Sequence, residues 1–160
     1  MQTRQGLATY QATGAAFQRP HFLAMLAEAS GLLGQPQEGL AAVDEALTLV
    51  EQTGERYYAA ELHRLRGELL LRHADTGPQA PGSGQQVEAE ACFHRALDVA
   101  RQQQARSLEL RAAMSLARLW QQQGKRADAG ALLAPIYDWF TEGFDTADLQ
   151  EAKALLEALT

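Results

Sequence analysis

The sequence predicts an all-α chain of about three stacked antiparallel helical hairpins closed by a C-terminal capping helix. Three observations carry this expectation. Wherever a hydrophobic period can be read it is helical, and no run alternates apolar with polar residues as a half-buried strand would. Pro20 and Pro36 stand where first-turn prolines open helices. The same spacing of small and large side chains then recurs three times along the chain.

In chain order, a short helix is expected near residues 3–14, followed by one in "QRPHFLAMLAEASGLL" and one in "GQPQEGLAAVDEALTLVEQTG". Gly54 can close the latter as a left-handed cap. Further helices are expected at about 55–73, 86–103, 105–123, 126–139 and 147–159, about eight in all. The last begins at Asp145 or Thr146 and carries a stripe of Leu149, Ala152, Leu156 and Leu159, with Trp139, Phe140 and Phe144 packed beneath it.

The repeat is read by superposing segments. Gly39, Val43, Ala46 and Leu47 match Ala89, Phe93, Ala96 and Leu97 at an offset of 50, and these match Ala129, Leu133, Ile136 and Tyr137 at an offset of 40. The glycines expected at turns, Gly34, Gly84 and Gly124, step by the same 50 and 40, whereas Ala27, Gly67 and Ala117 step by 40 and then 50. Both orders agree if the unit is about 40 residues long and some ten extra residues lie between Gly67 and Gly84. The Gly-, Pro- and Ser-rich stretch at about 74–85 supplies them and reads as a flexible surface insertion in a single domain spanning 1–160.

Gly67 interrupts a strong helix former, "AELHRLRGELLLR", at a cost of about 1 kcal/mol relative to alanine. It stands at the repeat position of Ala27 and Ala117, where the first helix of each hairpin comes nearest its partner. Gly39, Ala89 and Ala129 are expected to face these small residues, with Val43, Phe93 and Leu133 filling the space one turn on.

Composition bounds the rest. With 160 residues, 46% hydrophobic and 21% charged, the chain can bury a core without staples. Cys92 is the single cysteine, which excludes an internal disulfide and a cysteine-based zinc cluster; its apolar setting suggests an inert thiol. No run approaches a membrane span and the first residues lack the features of a signal peptide, so a cytoplasmic location is expected, with no membrane partner. A net charge of -6 argues against nucleic acid as a partner. Charge is nonetheless uneven: -3 over residues 1–54, +3 over 55–126 and -6 over 127–160.

Helix pairs of this kind, best seen in "SLARLW" with Gly124 and Ala129 and in "AEACFHRAL", resemble tetratricopeptide repeats. The resemblance implies a right-handed superhelix. The chain departs from that family in its period, about 40 against 34, and in Ser30, which replaces an expected aromatic residue. Over nearly its whole length, in segments such as "ATGAAFQRPHFLAMLAEASGLLGQPQEGLAAVDEAL" and "ALDVARQQQARSLELRAAMSLARLWQQQGKRADAGALLAPIYDWF", the chain is similar to the C-terminal repeat region of bacterial multidomain signalling proteins. In those, a class III adenylate/guanylate cyclase domain or a LuxR/MalT-like regulator domain, with an AAA- or STAND-type ATPase, precedes the repeats. The likeness implies that the chain is a fragment of a larger protein, and that Gly6 to Thr13 belong to the second helix of an interrupted hairpin.

Catalytic patterns do not assemble. "GKR" at 124–126 lacks the upstream glycine and the hydroxyl of a phosphate loop, and "PGSGQQV" lacks the third glycine and preceding strand of a dinucleotide site. His21, His63, His73 and His94 have no ligand spacing, and Glu90 with His94 makes no closed metal site. Asp138, Glu142, Asp145 and Asp148 surround a turn and read as caps and solubilising charge. No catalytic residue, metal or cofactor is therefore expected.

What remains is a surface. Glu61, Arg64, Glu68 and Arg72 on the second hairpin, and Arg111, Met114, Arg118 and Gln122 on the third, are expected to line a concave groove. Their arginines could fork onto carboxylates of an acidic peptide, or pair with Glu61, Glu68 and Glu109 and only solvate the face. The leading expectation is a non-enzymatic protein-protein interaction or regulatory module, binding a peptide segment or a neighbouring domain of its parent. The alternative is self-association, possible through Leu7, Tyr10 and Phe17, which no preceding hairpin covers. A small-molecule sensor is the least favoured.

Overall fold

A computed structural model describes residues 18–76 and 83–160. Seven α-helices and no strand are found among the described residues: α1 (Arg19–Leu32), α2 (Pro36–Thr53), α3 (Ala59–Thr76), α4 (Ser83–Gln102), α5 (Arg106–Gln122), α6 (Arg126–Asp138) and α7 (Ala147–Leu159). The helix expected near 3–14, and with it Leu7, Tyr10 and Phe17, lies outside the described residues.

Local chemistry sets the ends. Pro20 and Pro36 occupy first-turn positions of α1 and α2, where a missing N–H costs nothing. Gly54 caps α2 at φ 74°, a left-handed conformation that a Cβ disfavours. Gly34 and Gly124 perform the same task after α1 and α5. Gly84 does not: it lies in the first turn of α4, and the third turn of this shape is built around Gln104, at φ 55°. The stretch expected to loop out at 74–85 is thus partly helical, because α3 runs on to Thr76 and α4 already begins at Ser83.

The helices form three hairpins, α1 with α2, α3 with α4 and α5 with α6. Between hairpins the first helices meet in a row, α1 on α3 and α3 on α5, and each second helix also rests on the first helix of the next unit. Among the described residues, the backbones of the second helices do not approach one another. Helix α7 packs on α5 and α6 just as α3 packs on α1 and α2, so it occupies the place of a further first helix and covers the end of the stack.

The repeat residues build the core. Ala27, Ala89, Ala117 and Ala129 are fully buried, as are Val43, Phe93 and Leu133. A Cβ on Gly39 would lie 3.0 Å from the Ala27 carbonyl oxygen and 2.8 Å from Leu69 Cδ2, so this glycine sits where hairpin partner and next unit converge. Gly67 differs from the expectation: its absent side chain makes room for the ring of Phe93 itself, one turn along from Ala89.

The C-terminal end differs from the expectation in three respects. Leu149, Ala152, Leu155 and Leu159 are the buried stripe of α7, with Leu156 only half-buried. Thr146 is the N-cap residue, yet its hydroxyl donates to the Gly143 carbonyl at 2.7 Å instead of accepting from the helix. Of the three aromatics, only Phe140 packs against the core; Trp139 and Phe144 stay 54% and 47% exposed. Trp139 turns outward and stacks under the Arg106 guanidinium, 5.0 Å from its ring centre.

Candidate functional site

The row of first helices brings the eight expected groove residues onto one face of the stack, but not all into the open. Glu61, Arg64 and Met114 are 3%, 6% and 3% exposed, and Met114 belongs to the apolar core. The reason is local. Glu61 and Glu68 lie one turn before and after Arg64 on α3, and α5 crosses directly over them.

Arg64 is held by both carboxylates. Its Nε and Nη2 donate to the two oxygens of Glu61 at 2.9 and 2.7 Å, and its Nη1 donates to Glu68 Oε1. Ser115 of α5 closes the ring, its hydroxyl donating to the same Glu68 oxygen at 2.8 Å. Burial works against the guanidinium charge, but the hydrogen bonds and charges of Glu61 and Glu68 outweigh it and hold Arg64 above its ordinary range. Arg111 extends the network, reaching Glu61 at 2.8 Å and Asp148 of α7 at 3.9 Å. The buried face is therefore an ionic seam between α3 and α5, which Arg111 extends to α7 at its partly open edge. Glu109 stands apart from it, paired with Arg101 and Arg106.

Glu68, Arg72, Arg118 and Gln122 do share a concavity of about 450 Å³, with Ser115 and Glu151 also in its wall. Arg118 donates to Glu151 at 2.9 Å, and Arg72 donates to the Gly31 carbonyl at 3.0 Å, bridging α3 to α1. Two arginines and two glutamates leave this concavity without excess charge. Hydrogen-bonding groups and the apolar side chains of Phe93 and Leu119 together line it.

A second concavity lies on the other face, unmarked by the first-helix periodicity. It occupies about 440 Å³ between α2 and α4, with Ala59 and His63 of α3 in its lining. Its rim carries Arg56 and Arg95. Burial, then the charges of Arg95 and Arg66, push the His63 imidazole down to about 4, so it is neutral at physiological pH. Only the basic excess of residues 55–126 hinted at this place.

Among the described residues no group of three or more His, Cys, Asp or Glu could hold a metal ion, and no helix is long and apolar enough to cross a membrane. Cys92 is buried and accepts from Arg66 Nη1 at 3.4 Å.

No family model matches the chain, and no solved structure matches it. The chain is similar to an uncharacterized protein of Rhizobium meliloti (strain 1021), 33% identical over 117 residues, which cover 72% of this chain and 10% of that protein. It thus spans about a tenth of that relative's length.

Proposed function

We propose that the chain is a non-enzymatic interaction and regulatory module, the tetratricopeptide-like part of a multidomain cyclase- or ATPase-type signalling protein, and that it binds a peptide segment or a neighbouring domain of that parent in the cytoplasm. The observation that carries this reading is the continuous row α1, α3, α5 and α7, in which α3, α5 and α7, together with α4, line the concavity around Arg72, Arg118 and Gln122. Such rows bind by shape along a length of chain and need no reactive group. Similarity to a tenth of a much longer protein is in keeping with a role inside a larger assembly.

The test is a titration of the chain with the remaining domains of its parent. A complex that weakens when Arg118→Glu reverses the charge beside Glu151 supports the reading. No complex, with both proteins folded, removes it.

Self-association is a second reading, favoured by Met25, Leu32 and Leu33 of the first hairpin, which are 50%, 73% and 75% exposed. Light scattering across a concentration series decides it: a constant monomer mass ends this alternative.

A further inference from the structure

We propose that the cleft between α2 and α4 is a docking site for an acidic peptide segment of a partner protein, one in which carboxylates flank an apolar side chain. The inference goes beyond the inner-face reading and concerns the opposite side of the stack.

Topology opens the cleft. Among the described residues, helices α2 and α4 each pack on α3 while their backbones stay apart, so α3 forms a floor between two walls. Leu47 and Val50 on one wall, Val99 on the other and Ala59 beneath give an apolar trough. The Gln103 side chain donates to the Arg56 carbonyl, which ties the α2–α3 connection to the end of α4 and fixes the mouth before any ligand arrives.

Charge selects the occupant. Arg64, Arg66, Arg101, Arg106, Arg111 and Arg118 each meet a carboxylate within the protein. Arg56 and Arg95 have no such partner among the described residues, although both are exposed at the rim of this cleft. Glu51 is the one acid in its lining, so two guanidinium groups stand against one carboxylate in a chain of net charge -6. Burial is the larger cause of the depressed basicity of His63, and the charge of Arg95 adds to it, in keeping with a positive field at this cleft. On the inner face the arginines are already matched, so carboxylates of a partner gain more here. Bare phosphate would engage the rim and leave the trough unused; a side chain such as leucine between two glutamates uses both.

The probe is a fluorescein-labelled synthetic peptide of alternating Glu and Leu, followed by anisotropy, beside two controls: Gln in place of every Glu, and Glu throughout. The alternating peptide binds, binding weakens as salt is added, and both controls bind more weakly. Arg56→Glu and Arg95→Glu each reduce affinity roughly tenfold, the loss of one charge-assisted contact. Arg118→Glu, on the inner face, leaves it unchanged, which separates this site from the groove proposed above. Both cleft positions are exposed, and circular dichroism verifies that the variants fold. The proposal is overturned if the alternating peptide does not bind, if either control binds equally well, if inorganic phosphate displaces it at comparable concentration, or if the folded cleft variants bind like the unaltered chain.

Discussion

The ring of Phe93 fills the space in which a Gly67 side chain would stand: a Cβ at position 67 would come within 2.5 Å of Phe93 Cε1 and 2.9 Å of two further ring atoms. Phe93 is fully buried, so its ring can yield only by shifting within the packed hairpin. Gly67→Ala gains about 1 kcal/mol of helix propensity but incurs overpacking of about 1–3 kcal/mol. We expect net destabilisation in urea unfolding, and recovery when Phe93→Leu is added, because the two changes share one contact. Additive losses would show that the ring is not the cause.

Gly130 supplies the opposite case. It lies within α6, and a Cβ there would meet nothing within 4 Å. Gly130→Ala therefore stabilises the protein by about 0.5–1 kcal/mol, seen as a higher urea midpoint at unchanged slope. A loss of stability would mean that α6 packs more tightly at this point than the structure shows.

These two glycines mark how far the sequence could be read. Periodicity and the small-large spacing revealed the hairpins, because burial of Ala27, Val43, Ala89, Phe93 and Leu133 is repeated in each unit and repetition exposes a rule. The same spacing could not tell that Gly67 faces an aromatic ring while Gly130 faces nothing, since the difference lies in which neighbour arrives from another helix. The groove was half legible for a similar reason. Helical phase put Glu61, Arg64 and Glu68 on one face, but only the crossing of α5, with Ser115 at the contact, makes that face interior. Arg56 and Arg95 belong to a connection and a second helix, so no first-helix pattern linked them.

The ionic seam is expected to matter to stability more than surface pairs do. Glu61 is 3% exposed, accepts from Arg64 and forms an ion pair with Arg111. Arg64→Met leaves the buried Glu61 and the half-buried Glu68 each short of a partner and should cost about 3 kcal/mol. Arg64→Lys keeps the charge but loses the fork and should fall between. Adding Glu61→Gln to Arg64→Met should recover part of the loss. A loss below about 1 kcal/mol for Arg64→Met, the size of an exposed pair, would show that water reaches the seam.

Gln104 is the one described non-glycine residue with positive φ, at 55°. The hydrogen bonds of its turn, Ala105 N–H to Ala100 at 2.9 Å and Gln104 N–H to Arg101 at 3.1 Å, match those around Gly34 and Gly124. A left-handed residue with a Cβ costs about 1 kcal/mol or more. Gln104→Gly removes that strain, the added freedom of the unfolded chain returns part of it, and a net gain of about 0.5 kcal/mol is expected. Gly124→Ala should lose stability at the equivalent turn. Equal midpoints for Gln104→Gly and the unaltered chain would indicate that the Gln104 side chain compensates by contacts of its own.

His63 couples stability to pH. Its imidazole titrates at about 4 in the fold, lowered by burial first and by Arg95 and Arg66 next, against about 6.5 in the unfolded chain. Between those values the unfolded state binds the extra proton, so unfolding becomes easier as pH falls. The contribution is complete above pH 6.5, declines through the window and is gone below about pH 4. Because the ring is partly open to solvent, the loss is held to about 1–2 kcal/mol. His63→Gln should flatten the urea midpoint between pH 6.5 and 4 while leaving its value above that window little changed. Arg95→Gln should raise the His63 midpoint in an NMR titration only part of the way, since burial is the larger cause. A His63 midpoint near 6.5 in the folded chain would show that the α2–α4 cleft is wetter, and its floor less positive, than its lining indicates.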